Sequence, residues 1–296
     1  ATFGRALSQP GHPKLDSAMN SLASASQVST SRALDRARAL SLRLSGRRVQ
    51  VQIAIDAAAQ QRVREAVAQA GGEITGAGNE DSLLQGWLPI PALKTLAGHD
   101  DVLQIRRPEE ATLLEPALAG ASTTEGLAAM NGTAWHAAGY VGTGVKVGII
   151  DGGFEGYAAL RGTDLPASVT VKNFVDGESD ALVNGTTPHG TACAEIIYDI
   201  VPGATFYLAK IGTNVDLQEA VTWLKNTHGV DVISVSMGWY NLTPGDGTGE
   251  FANLVASARS AGITWVTAAG NDRERHWGGL YADSNSNGYH EFDDFE

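Results

Sequence analysis

Short apolar runs that end in small or polar residues set the pattern of the second half of the chain. Val145 to Ile150 is one, bounded by Gly144 and closing on Asp151-Gly152-Gly153, and it predicts a buried parallel strand. Thr205 to Lys210, Asp231 to Met237 and Ile263 to Asn271 read the same way. Helices are predicted between them: one opening at His189, one over Asp216 to Asn226 and one over Glu250 to Ser260, with another over Gly126 to Ala138 ahead of the first run. Strands and helices that alternate at these lengths predict an α/β fold, a parallel sheet with helices on both faces.

The first half is patterned differently. Arg48 to Ile55 alternates with period two, as a half-buried strand does. Asp56 can cap the helix after it, whose Val63, Ala66, Val67 and Ala70 share one face before Gly71-Gly72 stops it. Strands near Glu73 to Thr75 and Leu83 to Leu88, a short helix from Pro91 to Ala97 and a strand at Val102 to Arg106 complete a β-α-β-β-α-β order. That is the split βαβ, or ferredoxin-like, α+β arrangement. Upstream, Lys14 to Leu44 has no internal Gly or Pro and predicts one or two helices ending near Gly46.

Three polar residues interrupt the apolar pattern where chemistry is possible. Asp151 stands at the C-terminal end of a predicted parallel strand, the edge at which α/β sheets place their sites. His189, in T-P-H-G-T-A-C-A, opens a helix whose first turn is small, leaving room beside an imidazole that can take a proton near neutral pH. A histidine capping or packing at a helix start has the same appearance. Asn271 ends the run through A-A-G-N, where an amide can donate to a developing oxyanion, although Asn after Gly is also a common turn residue.

Taken in order, V-G-I-I-D-G-G, H-G-T-A-C-A, the strand Val232 to Gly238 and A-A-G-N resemble the motifs of subtilisin-like serine peptidases over residues from about 126 to 275. The resemblance implies an endopeptidase acting on protein or peptide substrates. His189 would be the general base, Asp151 its orienting carboxylate and Asn271 an oxyanion donor. Ser236, Met237 and Gly238 would pair with substrate backbone, facing Ala268, Ala269 and Gly270 as the other wall of the specificity pocket. It also implies that the ferredoxin-like unit is an inhibitory propeptide, an intramolecular partner whose tail, near Arg107 to Glu115, plugs the cleft. The expected division is a helical N-terminal extension at 1–46, the propeptide at 47–108, a linker at 109–125 that holds any maturation cut, and the peptidase domain at 126–296.

One departure stands out. The family's G-T-S-x-A segment, which carries the nucleophile, does not occur in the 296 residues. Ser284 and Ser286 lie in a polar stretch, and Ser234 and Ser236 are strand residues. The parallel sheet is therefore expected to be incomplete, and this chain alone to be inactive. The alternative is an inactive peptide-binding module that keeps the cleft. Cys193 is a poor substitute nucleophile, since its place in an apolar-faced helix points to a buried structural thiol. His228, His276 and His290 have no motif context and are read as surface or packing residues.

Composition narrows the partners. Residues 1–110 carry 13 Lys+Arg against 11 Asp+Glu and the remainder 8 against 22, so the net charge of −12 argues against a nucleic-acid partner. The opposite signs of the halves would help them dock, although scattered solvated charge explains them nearly as well. No apolar run reaches membrane-spanning length. A chain that starts at Ala1 is read as one that has lost an export signal, consistent with a secreted or cell-surface protein. The single cysteine excludes an internal disulfide. No cofactor is required for the implied chemistry. Asp283, Asn285 and Asn287, followed by Gly288 and with Asp294 at the twelfth position, follow the loop pattern that wraps calcium, and equally make a plain acidic loop.

Overall fold

The structure is a computed structural model and describes residues 11–78, 81–113, 124–240, 242–244 and 246–270. Helices α1 (Ser17–Ser26) and α2 (Thr30–Ala39) open it, each started by a side-chain cap: Asp16 accepts from the Met19 amide and Ser29 from the Arg32 amide. There follow β1 (Leu44–Ser45), β2 (Arg48–Ile55), α3 (Gln60–Gln69), β3 (Glu73–Gly78), β4 (Leu83–Pro89), α4 (Leu93–Ala97) and β5 (Val102–Arg106). Strand β2 lies antiparallel between β4 and β5, β3 flanks β4, and β1 folds back on the start of β2. This is the split βαβ order expected from the pattern.

Val49, Val51, Ile53 and Ile55 of β2 face a core shared with Val63 and Val67 of α3 and Leu93 and Leu96 of α4. Met19 and Leu22 of α1, both 0% exposed, lie in that same core. Each such burial contributes roughly 1.5–3 kcal/mol. The helices of residues 17–39 therefore belong to this domain, and the boundary expected at 46 falls inside one packed unit.

The second domain comprises β6 (Thr112–Leu113), α5 (Glu125–Ala129), α6 (Gly132–Ala137), β7 (Lys146–Asp151), α7 (Tyr157–Leu160), β8 (Val169–Asn173), α8 (His189–Ile200), β9 (Thr205–Lys210), α9 (Asn214–Thr222), β10 (Val232–Val235), β11 (Met237–Gly238), α10 (Glu250–Ser260) and β12 (Thr264–Thr267). Its sheet is parallel, in the order β12-β10-β7-β9-β8. Alternation along the central strands serves two cores: Val147, Ile149, Phe206 and Leu208 pack with Ala194 of α8, while Ile150, Tyr207 and Ala209 pack with Leu217 and Val221 of α9. Every strand of this sheet ends at one edge, which collects Asp151, Asn173, Lys210, Val235 and Thr267.

Three segments differ from the expected elements. The helix expected over Gly126 to Ala138 is two short ones, because Asn131 adopts a left-handed φ of 59° between them. The helix after Asn214 ends in a π-turn over Trp223–His228 that seats His228 against Tyr207 and Trp223, with ring centroids 4.4 and 4.5 Å apart. The run from Asp231 to Met237 splits into β10 and β11, so that Ser236 sits between two pairing directions.

The two domains meet where β3 and β4 rest on α9. Glycines permit the approach: a Cβ on Gly78 would lie 2.9 Å from the Gln218 side chain, and one on Gly76 3.0 Å from Glu219 Oε1. Gln50, Gln52 and Gln85 project into this seam and are at most 1% exposed. Gln52 Nε2 donates to Asn214 Oδ1 at 2.7 Å, Gln85 Nε2 to Asp216 Oδ1 at 3.0 Å, and Gln50 Nε2 to Asp176 Oδ2 at 2.9 Å. Strand β2 is thus covered on both faces, where its period-two pattern predicted one solvated face. Among the described residues no ion pair crosses the seam, and the charged side chain that reaches over it, Arg43, donates to the Asp176 backbone carbonyl at 3.3 Å.

Candidate active site

Asp151 is the last residue of β7 and His189 the first of α8, and the loop between them brings both to the strand-end edge. Gly190 makes this possible. A Cβ there would lie 2.6 Å from the Gly153 carbonyl oxygen and 2.7 Å from the Asp151 Cβ, so only glycine lets the start of α8 press against the end of β7. The Gly190 amide donates to that carbonyl at 3.0 Å, and the His189 amide to Thr187 Oγ1 at 3.2 Å.

The imidazole and the carboxylate are in direct contact: His189 Nδ1 lies 2.7 Å from Asp151 Oδ2. The Gly152 amide donates to the other oxygen, Asp151 Oδ1, at 2.8 Å. Asp151 is 0% exposed and His189 6%. The Asp151 hydrogen bond, opposed by burial, holds the His189 pKa above its ordinary 6.5. With Nδ1 committed to Asp151, Nε2 is the nitrogen left to take up and return a proton.

Cys193 follows four residues after His189, which on a helix places it on the same face. It is half-buried, with Sγ 4.0 Å from His189 Nδ1. The expectation that it faces the core is thereby corrected: the thiol lies beside the pair, on the Asp151 side of the ring. Burial, and after it the Asp151 charge, pushes its pKa up to about 11, so it is held as a thiol. Asp151, His189 and Cys193 form the one cluster of potential metal ligands among the described residues.

Ser236, Met237 and Gly238 leave β10 at the same edge, and β11 pairs antiparallel with β6, Leu113 opposite Met237 and Thr112 opposite Gly238. Across from this strip, Ala268, Ala269 and Gly270 follow β12 and are exposed, and the Ala268 amide donates to the Val235 carbonyl at 3.2 Å. Asn271 and the loop with Asp283, Asn285, Asn287 and Asp294 lie outside the described residues.

Sequence reasoning missed a second strip at this edge, Gly212 to Asn214. It was recognisable only as a helix start, through the capping box in which Thr213 Oγ1 accepts from the Asp216 amide and the Asp216 side chain accepts from the Thr213 amide. In the fold its backbone also holds the connecting segment: the Ala111 amide donates to Gly212 O at 2.9 Å and the Asn214 amide to Glu109 O at 3.1 Å. The first part of the expected linker at 109–125 is accordingly strand-paired on both sides.

A carboxylate and an imidazole are thus paired at the C-terminal edge of a parallel sheet, beside a strip that takes an added strand. The family profile described as the subtilase family matches residues 142–291, and the chain belongs to that family. Subtilisin DY from Bacillus licheniformis is 34% identical over 149 residues, 46% of this chain and 50% of that protein. Subtilisin E from Bacillus subtilis (strain 168) is 29% identical over 163 residues, 51% of this chain and 40% of that one. The chain thus spans half or less of these two relatives. Among solved structures, a mutant of the epidermin leader peptide processing serine protease from Staphylococcus aureus superimposes with a TM-score of 0.56 at 18% identity, covering 77% of this chain and 62% of that one. A match over 77% of 296 residues is longer than the second domain, so the likeness of fold extends into the first.

Proposed function

We propose that the chain is the N-terminal part of a subtilisin-like serine endopeptidase precursor, and the observation that carries this is the 2.7 Å contact between His189 Nδ1 and Asp151 Oδ2 at the sheet edge. In this reading a serine hydroxyl supplied from outside these 296 residues attacks a substrate carbonyl. His189 Nε2 takes the hydroxyl proton and returns it to the leaving amine, and Asp151 holds the ring in the required tautomer and offsets its positive charge. Asn271 donates to the oxyanion. Ser236, Met237 and Gly238 bind substrate backbone as a β-partner, and Ala268, Ala269 and Gly270 line the facing wall.

The first domain acts as an intramolecular inhibitor. Support comes from residues 109–113, which lie between the 212–214 and 237–238 strips where a substrate strand would lie. Calcium held by Asp283, Asn285, Asn287 and Asp294 would be structural, outside the reaction. The protein works as a secreted or surface enzyme on protein substrates. Among the described residues no helix is long and apolar enough to cross a membrane.

The test is hydrolysis of an unfolded protein substrate by the full-length gene product. Turnover and labelling by a serine-directed phosphonate are expected, with turnover abolished by His189→Ala. Residues 1–296 alone should show neither. Unchanged turnover in His189→Ala would reject the assigned base, and labelling of the 1–296 chain would reject the external nucleophile.

A further inference from the structure

The pairing of β7 with β9 sets Lys210 directly beside Asp151 at the strand-end edge. Paired residues of neighbouring parallel strands leave the sheet on the same face, as Ile149 and Leu208 do in one core and Ile150 and Ala209 in the other. Asp151 and Lys210 therefore start on the α8 face, from strands about 4.8 Å apart. Both are buried, at 0% and 2% exposure. The flexible four-carbon stem of a lysine spans such a gap. Burial raises the Asp151 pKa against the His189 and Gly152 hydrogen bonds, so this carboxylate would gain from a further cation.

Lys210 is held elsewhere. Its Nζ donates to Glu178 Oε2 at 2.6 Å and to the Leu182 carbonyl at 3.1 Å. Glu178 Oε2 also accepts from Asn173 Nδ2 at 3.0 Å. Burial works to raise the Glu178 pKa, but Lys210, Asn173 and lastly Arg43 together hold it below its ordinary 4.5, so the carboxylate is charged at neutral pH. The turn that carries Glu178 is fixed in its own right. The Glu178 amide donates to Val175 O at 3.1 Å, Gly177 takes a left-handed φ of 78°, and Asn173 Oδ1 accepts from the Val175 amide at 3.0 Å.

We propose that Glu178 is a positioning residue for the Asp151–His189 pair: it keeps the Lys210 ammonium off Asp151, leaving that carboxylate's charge to the His189 ring. Its effect on turnover rests on the peptidase reading above, whereas the placement of Lys210 does not. With Lys210 on Asp151, the carboxylate would already be offset when the imidazolium forms, and His189 Nε2 would take the hydroxyl proton less readily. Lys210 in turn ties the 178–182 segment to β9. The next residue, Val183, accepts from the Phe154 amide at 2.9 Å, three residues after Asp151.

Wild type, Glu178→Gln, Lys210→Met and the double variant, each made in the full-length gene product, test the proposal through the His189 midpoint in proton NMR and through kcat/KM against pH. Glu178→Gln keeps the shape and removes the charge. It should lower the His189 midpoint by about one pH unit and kcat/KM at neutral pH about tenfold. Adding Lys210→Met should bring both back to within about twofold of wild type, because the displaced cation is gone. Glu178→Asp, which keeps the charge, should lose far less than Glu178→Gln. A side chain that merely braces its loop would give losses that add in the double variant, and additive losses overturn the proposal. So does turnover in wild type with a midpoint that Glu178→Gln leaves unmoved, and the peptidase reading then stands. If Glu178→Gln does not fold, Lys210→Met alone decides. Its His189 midpoint should match wild type, and a rise of about half a pH unit or more would put the ammonium on Asp151 from the start and overturn the assignment. If no form turns over substrate while the midpoints fall and recover as stated, the peptidase reading falls and the placement of Lys210 by Glu178 stands.

Discussion

Replacing Asp216 with Asn removes a charge from the seam between the domains and should change how stability depends on pH. Asp216 is 1% exposed. Its Oδ2 accepts from the Gly212 and Thr213 amides at 2.9 and 3.0 Å, and its Oδ1 from Gln85 Nε2 at 3.0 Å. Burial outweighs these hydrogen bonds and pushes the carboxyl pKa from its ordinary 3.8 up to about 6. The folded state therefore binds this proton more tightly than the unfolded chain does. The associated stability is fully present below pH 3.8 and is lost as pH rises through about 6. A gap of about two pH units corresponds to about 3 kcal/mol. At about 2–4 °C per kcal/mol for a chain of this size, that is a relative fall of about 6–12 °C in Tm between pH 4 and pH 7.

Asp216→Asn keeps an acceptor for the capping amides and has no carboxyl to titrate. Calorimetric Tm values for wild type and variant, taken at several pH values from 4 to 7, should show the wild type falling relative to the variant by that amount as pH rises. Parallel curves would refute the reasoning, because they would show that Asp216 titrates alike in both states.

Other groups allow independent checks. Proton NMR should place the His189 titration above 6.5, and Asp151→Asn should lower it; a midpoint unmoved by the substitution would mean the hydrogen bond is not what holds it up. With a pKa of about 11, Cys193 should react with iodoacetamide at pH 8 about two orders of magnitude more slowly than an ordinary thiol, and rapid alkylation of the folded protein would contradict its environment. If the Asp283 loop holds calcium, chelation should lower Tm, and an unchanged melting curve counts against that site.

What the sequence disclosed follows from how local each determinant is. The strand ending at Asp151 was legible because an apolar run closing on glycines allows little else, and β5 and α10 keep the predicted ends. Asp151 and His189 were legible as motif residues, while their contact needed the fold. Cys193 was misplaced by reading its helix for a core face and overlooking that four residues on is the face of His189 itself. Gln50 and Gln52 look like the wet side of a half-buried strand, since nothing within ten residues of them reveals that Asp176 and Asn214 of the second domain will meet them. The break at Asn131 depends on one backbone angle that no periodicity encodes.

The glutamine-lined seam carries a consequence for the conditions under which the two domains stay together. Its directional contacts run mostly from neutral amides, joined by the Thr75 hydroxyl on Asp176 and by Arg43, which donates to the Asp176 carbonyl at 3.3 Å, and no side-chain ion pair crosses it among the described residues. Counter-ions weaken attraction between opposite full charges far more than they weaken an amide dipole inside a closed interface. The join should accordingly weaken only slightly between dilute buffer and brine, by no more than the contribution of Arg43.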